Sequence, residues 1–368
     1  MAKSATREPL MRIAKREPMP FWQAVLVRIA GIVLALIVSA LFIMLVTKLN
    51  PIAVYKSMAL GAFGTPDRAW ATARKMALLL CLGIGIAPAF MMRFWNVGAE
   101  GQMLVGALSA VTCMITFADL PQWLLLTVMV ITSCIAGALW ALLPALFKAK
   151  WGTNETLFTL MMNYIALFIV EFMVDVWDKK HSHTLGVVNM MGKNQYKGWF
   201  SKNDTTATIV MLVIVLALMV AMYFYLKRSK QGYEIAVVGE SFNTARYAGI
   251  NVGRTIIRTM LISGAICGLA GFLEASAISH TVSNKTAGGR GFTAIIIAWL
   301  AKFNTFTMLL IAMLIAFLDK GATQIASDFQ LNEFAAQVIT GIILFFILAC
   351  EFFVQYRVVF RGHKEVRA

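Results

Sequence analysis

The sequence predicts an all-α polytopic membrane protein, with about ten transmembrane helices and both termini in the cytoplasm. Three observations predict it. Of the 368 residues 60% are hydrophobic and the mean hydropathy is +0.75, against roughly 45–50% apolar content in soluble domains. Apolar runs of about 18 residues or more, the length that crosses a hydrocarbon layer, recur along the whole chain. Lysine and arginine gather in segments that an even number of spans places on one face, which the positive-inside rule makes cytoplasmic.

Taken in order, residues 1–22 are a basic N-terminal segment with Lys3, Arg7, Arg12, Lys15 and Arg16. The first span, 23–46, is too long for a signal-peptide core and lacks a clear cleavage site, so it reads as a retained helix. Spans at 75–92 and 95–118 flank a polar island, and 121–147 follows. The span at 154–174 opens with a Thr153 or Asn154 cap, and Glu155 suits its N-terminal dipole. Residues 175–205 form an extracytoplasmic loop that carries Lys179 and Lys180, and 206–226 is the sixth span. The cytoplasmic loop 227–258 holds Lys227, Arg228, Lys230, Arg246, Arg254 and Arg258. The span at 255–279 contains Gly264, Gly268 and Gly271, which permit close helix packing. Spans at 290–302, 305–326 and 334–355 complete a transmembrane domain of 23–355, and the tail 356–368 is basic through Arg357, Arg361, Lys364 and Arg367.

The net charge of +15 is therefore mostly topology. A nucleic-acid partner would need a soluble basic face with stacking aromatics, and the aromatics here lie mostly in spans. Cys81, Cys113, Cys134, Cys267 and Cys350 all fall in spans without a Cys-x-x-Cys pair, so they read as buried thiols and not as a disulfide framework. His181 and His183 share a polar loop with Asp175 and Asp178, and no metal site is expected. Gly192-Lys193-Asn194 lacks the glycine spacing and the hydroxyl of a phosphate-binding loop. No nucleophile elbow or His-Glu-x-x-His pair occurs, so no catalytic residue is assigned. Energy for any active process must come from a partner or an ion gradient.

The chemistry concentrates in polar groups inside spans, where a carboxylate costs at least about 2–3 kcal/mol unless it faces a cavity or partner. Asn96, Glu100 and Gln102 sit between apolar runs at Met76–Met92 and Met103–Phe117. On a continuous helix Asn96 and Glu100 share a face, whereas a broken helix re-aims both. Either a solute-lining role or interhelical hydrogen bonding fits them. Asn163 and Glu274 lie deeper in their spans, and Glu274 faces the bundle. Gly288-Gly289-Arg290-Gly291-Phe292 enters the eighth span at the outer side, where Arg290 and Phe292 suit a polar aromatic solute or Arg290 neutralises Glu274 or Glu100. Glycine-rich polar breaks at 96–102 and 288–292 give the two halves a faint pseudo-repeat, as in transporters with paired broken helices at the midplane.

In the loop 227–258, Ser241 or Asn243 caps a short helix through Tyr247, and Gly249 ends it. The blocks Phe94–Gln102, Asn154-Glu155, Thr159–Ala166, Gly239–Ile250, Ser263–Gly271 and Gly289–Ile295 together, in this order, resemble permease subunits of bacterial ATP-binding-cassette (ABC) importers. The branch is that for nucleosides and ribose-type sugars, related to branched-chain amino acid permeases. The resemblance implies nucleoside or sugar passage in the bacterial inner membrane. Its implied partners are cytoplasmic ATPases that hold ATP and magnesium, a second permease in a heterodimer, an extracytoplasmic binding protein and lipid. It makes 240–249 the coupling helix, through Glu240, Asn243, Thr244, Ala245, Arg246, Tyr247 and Gly249. Two departures stand out. Trp95 replaces a smaller apolar residue, and Trp299–Phe306 lacks the glycine and proline of the family's turn. An ion-coupled secondary transporter is the alternative, and it has no need of the capped loop.

Overall fold

A computed structural model describes residues 11–16, 20–178 and 184–360. Lys179, Lys180, His181, His183 and the basic residues before 11 and after 360 fall outside the described residues. A strand β1 (Met11–Lys15) precedes α1 (Phe21–Phe42), which a π-turn extends to Thr47, and α2 (Pro51–Phe63). There follow α3 (Pro66–Met91), α4 (Ala99–Thr116), α5 (Gln122–Trp151), α6 (Glu155–Trp177) and α7 (Asp204–Arg228). Two short helices, α8 (Lys230–Glu240) and α9 (Phe242–Tyr247), lead into α10 (Val252–Glu274), which a second π-turn extends to Ser279. Last come α11 (Arg290–Leu300), α12 (Thr305–Asp328), α13 (Glu333–Gln355) and the strand β2 (Tyr356–Phe360).

Helix starts follow local chemistry. Asn50 accepts from the Ile52 amide at 2.9 Å with Pro51 next in line, and Thr65 accepts from the Arg68 amide ahead of α3. Asn154, and not Thr153, caps α6 by accepting from the amides of Thr156 and Leu157. Lys148 at the end of α5 pairs with Glu155 at 2.6 Å, so this carboxylate joins two helix ends.

Nine helices among the described residues are long and apolar enough to cross a membrane. The expected span at 290–302 is not one of them. α11 has 11 residues, which reach about 16 Å, half of the roughly 30 Å hydrocarbon core. Hydrophobicity alone marks this segment as a span, but eleven helical residues are too few to cross. The span expected at 95–118 also starts later, because Phe94–Gly98 is a turn outside the helix.

The chain divides into two compact units. In the first, made of residues up to Gly64 and from Leu318, α1 packs along α13, and Arg28 pairs with Glu351 at 3.1 Å. β1 and β2 form an antiparallel ladder from Met11↔Phe360 to Lys15↔Tyr356. This pair is an addition to the expected all-helical plan. It places the first and last described segments side by side in the unit. Ser57 of α2 donates to Asp328 at 2.6 Å.

The second unit, Thr65–Phe317, is centred on α10, which packs against α3, α4 and α5. Close approach explains the glycines here. A Cβ on Gly264 or Gly268 would strike the backbone of α5, and one on Gly106 would strike Gly268. These contacts let backbones touch where lipid offers no hydrophobic gain from larger side chains.

Candidate functional site

Two interruptions of the helical frame meet beside the start of α4. The first is the turn that joins α3 to α4. Arg93 adopts a left-handed φ of 58° and the chain reverses there. Asn96, fully buried, accepts from the Gly98 amide and from Gln102 Nε2, each at 3.1 Å, and donates to Ser263 Oγ of α10 at 3.1 Å. From α6, Thr159 accepts from the Val97 amide at 3.2 Å. Asn163 accepts from the Gly101 amide at 2.8 Å and donates to the Val97 carbonyl at 2.9 Å. The unpaired amides of a helix's first turn need such partners, and a neighbouring helix supplies them. Asn163 stands about 12 Å along α6 from Glu155, so α4 begins well inside the span. The break re-aims the two polar residues: Asn96 points to α10 and Glu100 to α11.

The second interruption is 280–289. A turn closed by the Ser283 amide on Thr286 Oγ at 2.9 Å leads to Gly288 and Gly289, with φ of 51° and 75°. The Gly289 amide donates to Glu100 Oε1 at 2.7 Å. Arg290 Nη1 pairs with Glu274 Oε2 at 2.8 Å and donates to the Thr286 carbonyl at 3.1 Å. A Cβ on Gly291 would lie 2.6 Å from the Glu100 amide nitrogen, so only glycine lets α11 touch α4 here. Gly289 and Gly291 therefore lie against Glu100 at the start of α4, while Gly288 and Phe292 stay exposed.

Two helix N-termini thus converge, with the Glu100 carboxylate between their positive ends. Two carboxyl groups and one guanidinium share this place. Irregular backbone at membrane depth is tolerated only when protein or water satisfies it, and Glu100 does so for Gly289. Glu100 Oε2 is enclosed without a hydrogen-bond partner among the described residues. Glu274 is buried, Arg290 partly open and Phe292 44% exposed. Thr159 and Ser263 were quoted within sequence blocks but given no role; their hydroxyls are ordinary in sequence and are marked only by the partners they meet.

At one end of the same unit, Ser241 caps α9 by accepting from the Thr244 amide, and Asn243 lies within the helix. Gly249 closes it with a φ of 74° while the Ile250 amide donates to the Ala245 carbonyl. Ala245 is buried and anchors the turn; Asn243, Thr244, Arg246 and Tyr247 are exposed, Tyr247 by 94%. Glu240 belongs to α8. That helix, which the sequence reading left as loop, is fastened to α10 by Glu234–Arg258 at 2.8 Å. It also rests on the end of α3, where a Cβ on Gly239 would strike the Met91 carbonyl.

Residues 69–348 match the family described as the branched-chain amino acid transport system / permease component. The guanosine ABC transporter permease NupP of Bacillus subtilis is 31% identical over 325 residues, 88% of this chain and 92% of the relative. The nucleoside permease NupB of Lactococcus lactis is 29% identical over 331 residues, covering 88% and 90%. The glucose permease TsgB13 of Haloferax volcanii is 25% identical over 367 residues, covering 95% and 93%. The guanosine permease NupQ of Bacillus subtilis and the nucleoside permease NupC of Lactococcus lactis are similar over shorter stretches of 217 and 227 residues. With the sequence blocks, the nine helices among the described residues that are long and apolar enough to cross a membrane and these likenesses in agreement, the chain belongs to this permease family and is a membrane-spanning subunit of an ABC importer.

Proposed function

We propose that this chain forms part of a nucleoside path across a bacterial inner membrane, in a heterodimer with a second permease. A binding protein delivers the solute outside, and ATPases inside hydrolyse magnesium-bound ATP. The observation that carries this reading is the pair of convergent helix starts at Glu100 and Gly289, flanked by Glu274, Arg290 and half-exposed Phe292. Carboxylate oxygens and a guanidinium offer hydrogen bonds to base and ribose, and the Phe292 ring offers a stacking face. Asn96, Gln102 and Asn163 are occupied by the bonds that hold α4's first turn, and in this reading they brace the path without touching solute.

The knob at α9 is the ATPase contact: Tyr247 enters a groove, Arg246 meets a carboxylate, and Ser241 and Gly249 hold the turn in shape. Exchange of Arg246 for glutamate should abolish solute-stimulated ATP hydrolysis while leaving membrane insertion intact. Unchanged ATP-driven uptake in that variant would remove the coupling assignment. Calorimetric titration of nucleosides and ribose into the partner binding protein tests the solute class, with sugar binding alone favouring the sugar branch that TsgB13 represents.

A further inference from the structure

We infer that Trp95 and Trp299 are the gate at the α8–α9 end of the solute path, held shut by their mutual stack; this rests on the transport reading above. Their rings lie 5.5 Å apart at 26°, and each residue is 46% exposed. Phe90 sets its edge against both, at 5.6 and 6.2 Å, and Phe303 packs on Trp299 at 5.3 Å. The fold brings Trp95 and Trp299 together from positions about two hundred residues apart in the chain.

Backbone conformation marks the same place. Arg93, Lys302 and Phe303 have φ of 58°, 50° and 60°, a region that residues other than glycine seldom occupy. One precedes Trp95 and the other two follow Trp299. Where a glycine would relieve the turn, the chain keeps an aromatic ring that buttresses the stack, and strain of this kind gathers at functional sites.

The stack also lies on the right surface. On α11 the exposed residues Phe292 and Trp299 are seven positions apart, on one helix face. That face begins beside Glu100, Gly289 and Arg290 and ends at the stack of Trp299 on Trp95, two residues after exposed Arg93. Charged groups at membrane depth face water or protein and not lipid, so a hydrated route runs along it. The stack has a lever as well. α8 rests through Gly239 on Met91, four residues before Trp95, and leads directly into α9. Movement of α9 is passed through Met91 to the Trp95 ring. A flat-ringed solute leaves by taking the place of one indole in the stack, an exchange that a free sugar cannot make.

The test uses the full complex in proteoliposomes with guanosine and ribose as probes. Trp299→Ala and Trp95→Ala should each raise ATP-independent guanosine leak about fivefold, the scale of one lost aromatic pair. The double variant should leak no more than either single one, and Trp299→Phe should stay tight. Tight alanine variants beside an active wild type overturn the gate. If Trp299→Ala does not assemble, Trp299→Leu keeps the bulk without the stacking face, and a tight leucine variant overturns it equally. A wild-type complex that moves neither probe with ATP overturns the transport reading, and the gate with it.

Discussion

The breaks at 92–98 and 280–289 do the same geometric job with different chemistry. Around the first, carboxamides and hydroxyls of Asn96, Gln102, Asn163, Thr159 and Ser263 satisfy backbone amides and one another. Around the second, Glu100, Glu274 and Arg290 do so with charge. Neutral amides both donate and accept, so they close a network with little desolvation cost. Buried charges cost much more to desolvate, and a buried ion pair is weak evidence for stability. The difference fits the proposed function, in which the first break is a fixed brace and charge at the second serves something that passes or moves.

The largest expected effect tests that contrast directly. Glu274→Ala removes the carboxylate that Arg290 bonds and should destabilise the chain by about 2–3 kcal/mol. Thermal unfolding of the detergent-solubilised protein reads this, and Glu274→Gln should recover part of it. Asn163→Ala removes two bonds to the start of α4, and about 2 kcal/mol should be lost. This variant should keep its solute KM, whereas Glu274→Gln should shift it. Equal losses with equal KM changes would erase the distinction between brace and path.

The smallest effect concerns His280, where the second break begins. Its ring stacks on Trp199 at 3.6 Å, and burial holds its pKa below the ordinary imidazole value. A depressed folded pKa means that the neutral form is favoured by the fold. The stability it contributes is present above the unfolded value, near 6.5, and is lost as pH falls through the folded one. Unfolding temperature should therefore drop modestly on acidification, and His280→Gln should flatten the drop. An unchanged slope would remove His280 from the account.

Local features were legible in the sequence and paired ones were not. The Asn154 cap, the Ser241 cap and the Gly249 stop each depend on residues within one turn of chain. The small-residue face of α10 was equally readable from its glycine spacing. Hydropathy found nine spans but overcounted at α11, because it registers apolar character and not the length of the helix that forms. The Glu100–Gly289 bond joins residues 189 apart, and no local pattern encodes it. β1 and β2 escaped for the same reason, since neither strand has a partner until the other end of the chain arrives.

That last pairing sets an order of events during synthesis. Arg28 of α1 waits for Glu351, 323 residues later, and β1 waits for β2. α1 must therefore stand in lipid without its α13 partner while the rest of the chain is made, with Tyr55 of α2, bonded to Ser39 and to the Leu36 carbonyl, as an early neighbour. It is suited to that interval: its span has a mean hydropathy of 3.0, the highest of the nine, and only 17% of it is buried inside the protein. A polar substitution on the face of α1 that meets α13 would then act first as an insertion defect during translation, before α13 exists to receive it.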